Sequence, residues 1–156
     1  MIYGEASTTV TAPPAQVLDL VCDLERYKLA DTKIRKVLGT RIDGDRIVVR
    51  FRSRLRGLPA PAIEQQIVRS GDERLDITSV PSWHSSLVRF SGSVTCAPAT
   101  AGTRVVHREE FHATALLRPL FDRFLGSWLT RDVEAEVSRL GQLLGGTTAD
   151  LTQAES

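Results

Sequence analysis

The chain has 156 residues, of which 42% are hydrophobic and 25% charged, and its formal net charge is +1. That length suits one domain with a buried core, and that composition suits a globular protein. Near-neutral charge excludes a global pull toward nucleic acid, and no apolar run reaches the length of a membrane span.

The first residues, MIYGEASTTV, lack the basic start and apolar block of a secretory leader, so a cytoplasmic address is the default expectation. Ile2 to Thr11 mixes β-branched with polar residues and reads as a strand. Pro13 and Pro14 stop it, because proline cannot extend a ladder but suits the first turn of a helix. Val17, Leu18, Leu20, Val21 and Leu24 then recur at helical spacing, and a second short helical piece covers Leu24 to Ala30. Lys33 to Asp43 and Asp45 to Arg56 flank Gly44, so Asp43-Gly44 reads as a hairpin turn. In the second of these strands Ile47, Val49, Phe51, Ser53 and Leu55 share one face. Arg46, Val48, Arg50, Arg52, Arg54 and Arg56 share the other. Such a contrast at period two predicts an antiparallel sheet with one buried and one solvated side.

GLPAP (57–61) is expected to break the chain, and Ala62 to Ser70 with Glu73 to Ser79 forms another strand pair around Gly71-Asp72. SVPSWHSS (79–86) reads as a loop, Leu87 to Ala97 as a strand, and Thr103 to Ala113 as the last strand after a turn at Ala99 to Gly102. A long amphipathic helix runs from Leu117, with Pro119 in its first turn, to Leu144, where Gly145-Gly146 stops it. One domain over residues 1–146 and a frayed tail over 147–156 are expected. The fold class is α+β, a seven-stranded antiparallel curved sheet gripping the long helix over an internal cavity. No CxxC, HExxH or GxxxxGK[ST] pattern occurs, and the three histidines are scattered, so neither metal nor cofactor is expected. Cys22 and Cys96 read as small buried hydrophobes.

The order strand, two short helices, six strands and a long helix resembles the START-like superfamily, also called SRPBCC or helix-grip. That superfamily includes polyketide cyclases, lipid-transfer domains and plant pollen-allergen proteins. TAPPAQVLDLVCDLERY (11–27) is similar to its usual opening, GTRVVHREEF (102–111) to its last strand, and SRLGQLL (138–144) to the end of its long helix. The resemblance covers nearly the whole chain and implies a cavity for a hydrophobic small molecule. It leaves function open, because the fold serves carriers, enzymes and regulators alike. After Tyr27 many relatives lead to a tryptophan and proline, whereas this chain reads KLADTKI (28–34), which implies a more polar pocket mouth.

Strand parity assigns side chains to that cavity. If Val105 and Phe111 point inward, so do His107 and Glu109, either as a general acid/base pair or as a hydrogen-bonded pair on the wall. Gln65 shares parity with Ile63 and Ile67, and Phe51 and Phe90 lie on inward strand faces. Trp83 and His84 either gate the mouth or cap the core. Phe121, Phe124, Leu125 and Trp128 form the apolar wall of the helix, a spacing that ordinary core packing also requires, and Asp132 interrupts the same stripe.

Three functions follow. The leading one is a carrier or sensor that binds a lipid, polyketide or isoprenoid-like molecule. The second is an aromatase/cyclase-like enzyme using His107 or Glu109. The third is an interaction module using the arginine face, which would meet phosphates, anionic lipid in transient membrane contact, or an acidic partner. The simpler reading of that face, and the favoured one, is a solvated surface balanced by Glu64, Asp76 and Glu110. No nucleic-acid partner is expected, and oligomeric state is not readable.

Overall fold

The computed structural model describes residues 1–145, so the expected tail over 147–156 lies outside the described residues. The chain runs β1 (Ile2–Val10), α1 (Pro14–Cys22), α2 (Leu24–Tyr27), β2 (Ile34–Asp43), β3 (Arg46–Leu55), β4 (Leu58–Ser70) and β5 (Arg74–Ser79). It continues through α3 (Trp83–Leu87), β6 (Val88–Ala99), β7 (Gly102–Ala113) and α4 (Arg118–Leu143). The strands form one seven-stranded antiparallel sheet in the order β1-β7-β6-β5-β4-β3-β2. Hairpins link β2 to β7 in sequence, and β1 returns to pair with β7, so the meander needs only the α1–α2 crossover.

Two apolar clusters fill the concave side. Val17, Leu18, Leu20 and Val21 of α1 pack on Val49, Phe51, Leu75, Val94 and Val105 of the sheet. Leu125, Leu129, Val133 and Val137 of α4 pack with Ile2 of β1. Each such fully buried side chain contributes about 1.5–3 kcal/mol. Helix α4 comes closest to the sheet at Gly4, where a Cβ would stand 3.0 Å from both the Leu129 carbonyl oxygen and Val133 Cγ2. A side chain there would push the helix off β1.

Three local expectations are corrected. GLPAP does not break the chain, since β4 begins at Leu58 and Pro59 pairs with Arg54. The prolines sit beside a register shift in the β3–β4 ladder and beyond the reach of β5, whose pairing starts at Gln65, so fewer ladder donors are demanded there. Within SVPSWHSS a one-turn helix, α3, forms because Ser82 and Ser85 make a reciprocal capping box. Helix α2 ends at Tyr27, with turn hydrogen bonds replacing helix through Asp31.

Candidate functional site

Between the sheet, α1–α2 and the start of α4 lies a cavity of about 260 Å³. Most of its wall is apolar, including Val21, Phe51, Ile67, Ile77, Phe90 and Phe121. Exposed Pro61, Ser82 and Leu87 mark its outer end. Its buried end is polar, and there Tyr27, Asp31, Lys33, His107 and Glu109 share the wall.

Behind that wall lies a network of buried charge. Lys33 Nζ stands 3.0 Å from Asp31 Oδ1, 2.9 Å from Asp132 Oδ2, 2.6 Å from Glu136 Oε2 and 3.2 Å from Glu109 Oε2. His107 Nδ1 donates to the Ser93 carbonyl at 3.1 Å. Its Nε2 faces two carboxylate oxygens, Glu136 Oε1 at 3.2 Å and Glu109 Oε1 at 3.4 Å. The Ser93 carbonyl fixes a proton on Nδ1, and two ionised carboxylates beside Nε2 favour a second one there, making His107 an imidazolium. Tyr27 also donates its hydroxyl proton to Glu136 Oε1.

The proton affinities follow from this packing. Burial alone would strip Lys33 and His107 of their protons, but the carboxylates outweigh it. Asp31, Glu109, Glu136 and Asp132 hold the lysine well above its ordinary range, and Glu136 and Glu109 raise the imidazole to about 10. Burial pushes Glu136 up, yet Lys33 and His107 hold its carboxyl well below the usual range. Burial and then Glu136 push Asp31 up to about 7, against the pull of Lys33, so this carboxyl takes up a proton near neutrality. Burial, reinforced by Glu136, drives the Tyr27 phenol upward.

Two groups bring metal-ligand atoms within 4.8 Å of one another, His107 with Glu109 and Glu136, and Asp31 with Asp132 and Glu136. The Lys33 ammonium lies within 3.0 Å of all three members of the second. In the first the Nε2 proton stands between the carboxylates. The donor set therefore closes on its own cations.

Of the residues singled out from the sequence, Phe51, Gln65, Phe90, His107, Glu109 and Phe121 line the cavity. Trp83 does not; it is 69% exposed and stacks on His84, which does line it. Phe124 faces outward under the Arg56 guanidinium, 4.6 Å from its ring centroid, because the stripe of α4 that meets the sheet runs through Phe121, Leu125 and Leu129. Leu125 and Trp128 belong to the α4–β1 core rather than the cavity wall. KLADTKI puts Asp31 and Lys33 into the buried end of the cavity, where the resemblance implied a polar mouth. Lys33, Asp31, Glu136 and Tyr27 were not foreseen in the site. For Glu136 a signal existed, since it follows Asp132 by one helical turn inside the apolar stripe.

The match to known proteins agrees with this geometry. A family model described as polyketide cyclase/dehydrase and lipid transport matches residues 1–145, and the chain belongs to that family. Its fold is similar to that of TTHA0849 from Thermus thermophilus, at 20% identity and TM-score 0.74, covering 91% of this chain and 96% of that one. It is similar to the Zhui aromatase/cyclase from Streptomyces sp. R1128, at 16% identity and TM-score 0.71, covering 92% and 93%. The lipid transfer and protein localization domain of human StarD13 aligns at 19% identity and TM-score 0.62, covering 90% and 75%. These likenesses establish the START-like, helix-grip fold. No curated protein matches the chain. Among the described residues no helix is long and apolar enough to cross a membrane.

Proposed function

We propose that this protein binds a hydrophobic small molecule in the cavity, as a carrier or sensor. The observation that carries this reading is the division of the wall, with apolar side chains along much of its extent and the buried charged groups Asp31, Lys33, His107 and Glu109 gathered at one end. Burial of an apolar body supplies about 25 cal/mol per Å² removed from water, and the polar end fixes which way round the molecule sits. Membership of a family that spans lipid transport and polyketide cyclisation supports the same use of the space.

A cyclase-like reaction using His107 as a base is disfavoured by the site itself. An imidazole protonated on both nitrogens and raised to about 10 has no lone pair to take a proton at neutral pH. Native mass spectrometry of protein purified without detergent tests the proposal, together with titration of the neutral fluorophore N-phenyl-1-naphthylamine. A retained apolar molecule or saturable probe binding is expected, and Ile63→Trp, which fills the cavity, should weaken the probe about tenfold or more. Identical binding in Ile63→Trp, with the fold intact by circular dichroism, would overturn it.

A further inference from the structure

Two buried side-chain atoms among the described residues lack a hydrogen-bond partner, Arg139 Nη2 on α4 and Glu109 Oε2 in the wall of the cavity's buried end. Glu109 is 2% exposed, and its Oε2 accepts no hydrogen bond although the Lys33 ammonium stands 3.2 Å away. The two hydrogen bonds that ammonium makes go to Asp132 and Glu136. A buried carboxylate oxygen without a donor is costly, and Glu109 forms part of the cavity wall. The charges around it do not balance either. Asp31, Glu109, Asp132 and Glu136 face Lys33 and His107, four carboxyls against two cations, an excess that a proton on Asp31 near neutrality reduces without cancelling. Arg139, the nearby helical arginine, donates to the Ala30 carbonyl at 2.6 Å and makes no ion pair with any of the four among the described residues.

Resting on the carrier reading above, we propose that the bound molecule carries a hydrogen-bond donor head without negative charge, an amine or a hydroxyl, seated on Glu109 Oε2. A donor there completes the carboxylate, and a protonated amine also offsets the excess negative charge. A carboxylate or phosphate head brings a further anion to a cluster already richer in carboxyls than in cations and offers Glu109 Oε2 no proton. The site therefore discriminates by head group, through the penalty for leaving Glu109 unmet, more than by the length of the apolar body.

Competition against N-phenyl-1-naphthylamine at neutral pH tests this with three competitors of one chain length: dodecylamine, dodecanol and dodecanoate. The amine and the alcohol should each displace the probe at concentrations about tenfold or more below dodecanoate. An amine stronger than the alcohol supports a contribution from charge, and equal strengths support the hydrogen bond alone. Dodecanoate matching or exceeding the other two overturns the inference and leaves the carrier reading standing. A wild-type protein that binds neither probe nor competitor overturns both. Glu109→Gln should bring the three competitors to within about threefold of one another, and an unchanged ranking removes Glu109 from the role. If that variant does not fold, the wild-type ranking decides alone.

Discussion

The two sides of the sheet carry charge in opposite ways. On the convex side Arg50, Arg52 and Arg54 alternate along β3, exposed, and make no ion pair among the described residues. On the concave side a single lysine touches four carboxylates and a buried imidazolium bridges two of them. A solvated cation loses little when its partners are distant, because water already stabilises it. A buried one has only the protein to stabilise it, so each member depends on the rest. Charge count along the sequence cannot distinguish these cases; packing does.

The sharpest break in this contrast is Lys33→Ala. It leaves four carboxyls together without their shared cation and should destabilise the fold by about 3–5 kcal/mol in urea melts. A loss under about 1 kcal/mol would mean that water reaches the cluster. Next comes pH. His107 is raised from 6.5 to about 10 on folding, so its contribution is complete below about 6.5 and disappears as pH rises through 10. Stability should therefore fall between pH 7 and 10 with a slope approaching 1.4 kcal/mol per pH unit. His107→Gln should flatten that limb, and a slope that persists in the variant would locate the titration elsewhere. Glu136 acts in the other direction, stabilising above its ordinary 4.5 and losing that effect in acid. Asp31, raised to about 7, partly opposes it by favouring the folded state as pH falls from 7 toward 3.8.

Smaller effects sharpen the comparison further. Tyr27→Phe removes the hydroxyl donor to Glu136 and should cost about 1–2 kcal/mol, read by the same melts. At the other extreme, Arg50→Ala with Arg52→Ala should change stability by less than about 0.5 kcal/mol per site. A larger change would show that the convex arginines have partners after all.

The fold was legible because it is written in periods. Alternation along β3 and β7 separates the two faces, and it places His107 and Glu109 inward beside Val105. Helical spacing likewise marks the buried side of α4. What remained hidden lies where no period exists. Asp31 and Lys33 follow the last turn of α2 in an irregular segment, and nothing local says that Lys33 turns inward to meet residues a hundred positions away. Trp83 and Phe124 show the converse, large aromatics whose size suggests a core role but whose places, on a surface turn and at the edge of the helical stripe, leave them outside. The charges of the site were each visible; their convergence was not.

The pairing of Asp132 and Glu136 with Lys33 also constrains how the cavity can open. These carboxylates stand on the same helix as Phe121, which lines the cavity, but three and four turns farther along. The second half of α4 is thus latched to the segment before β2 and clamped against Gly4 of β1. Lifting the helix as a rigid bar would tear ions out of their only solvation. The other end of the same helix is held more lightly, by the Arg56 guanidinium of the β3–β4 turn, which donates to the Phe124 carbonyl at 2.8 Å from an exposed position, so any opening that keeps the buried ions together would have to break that bond first.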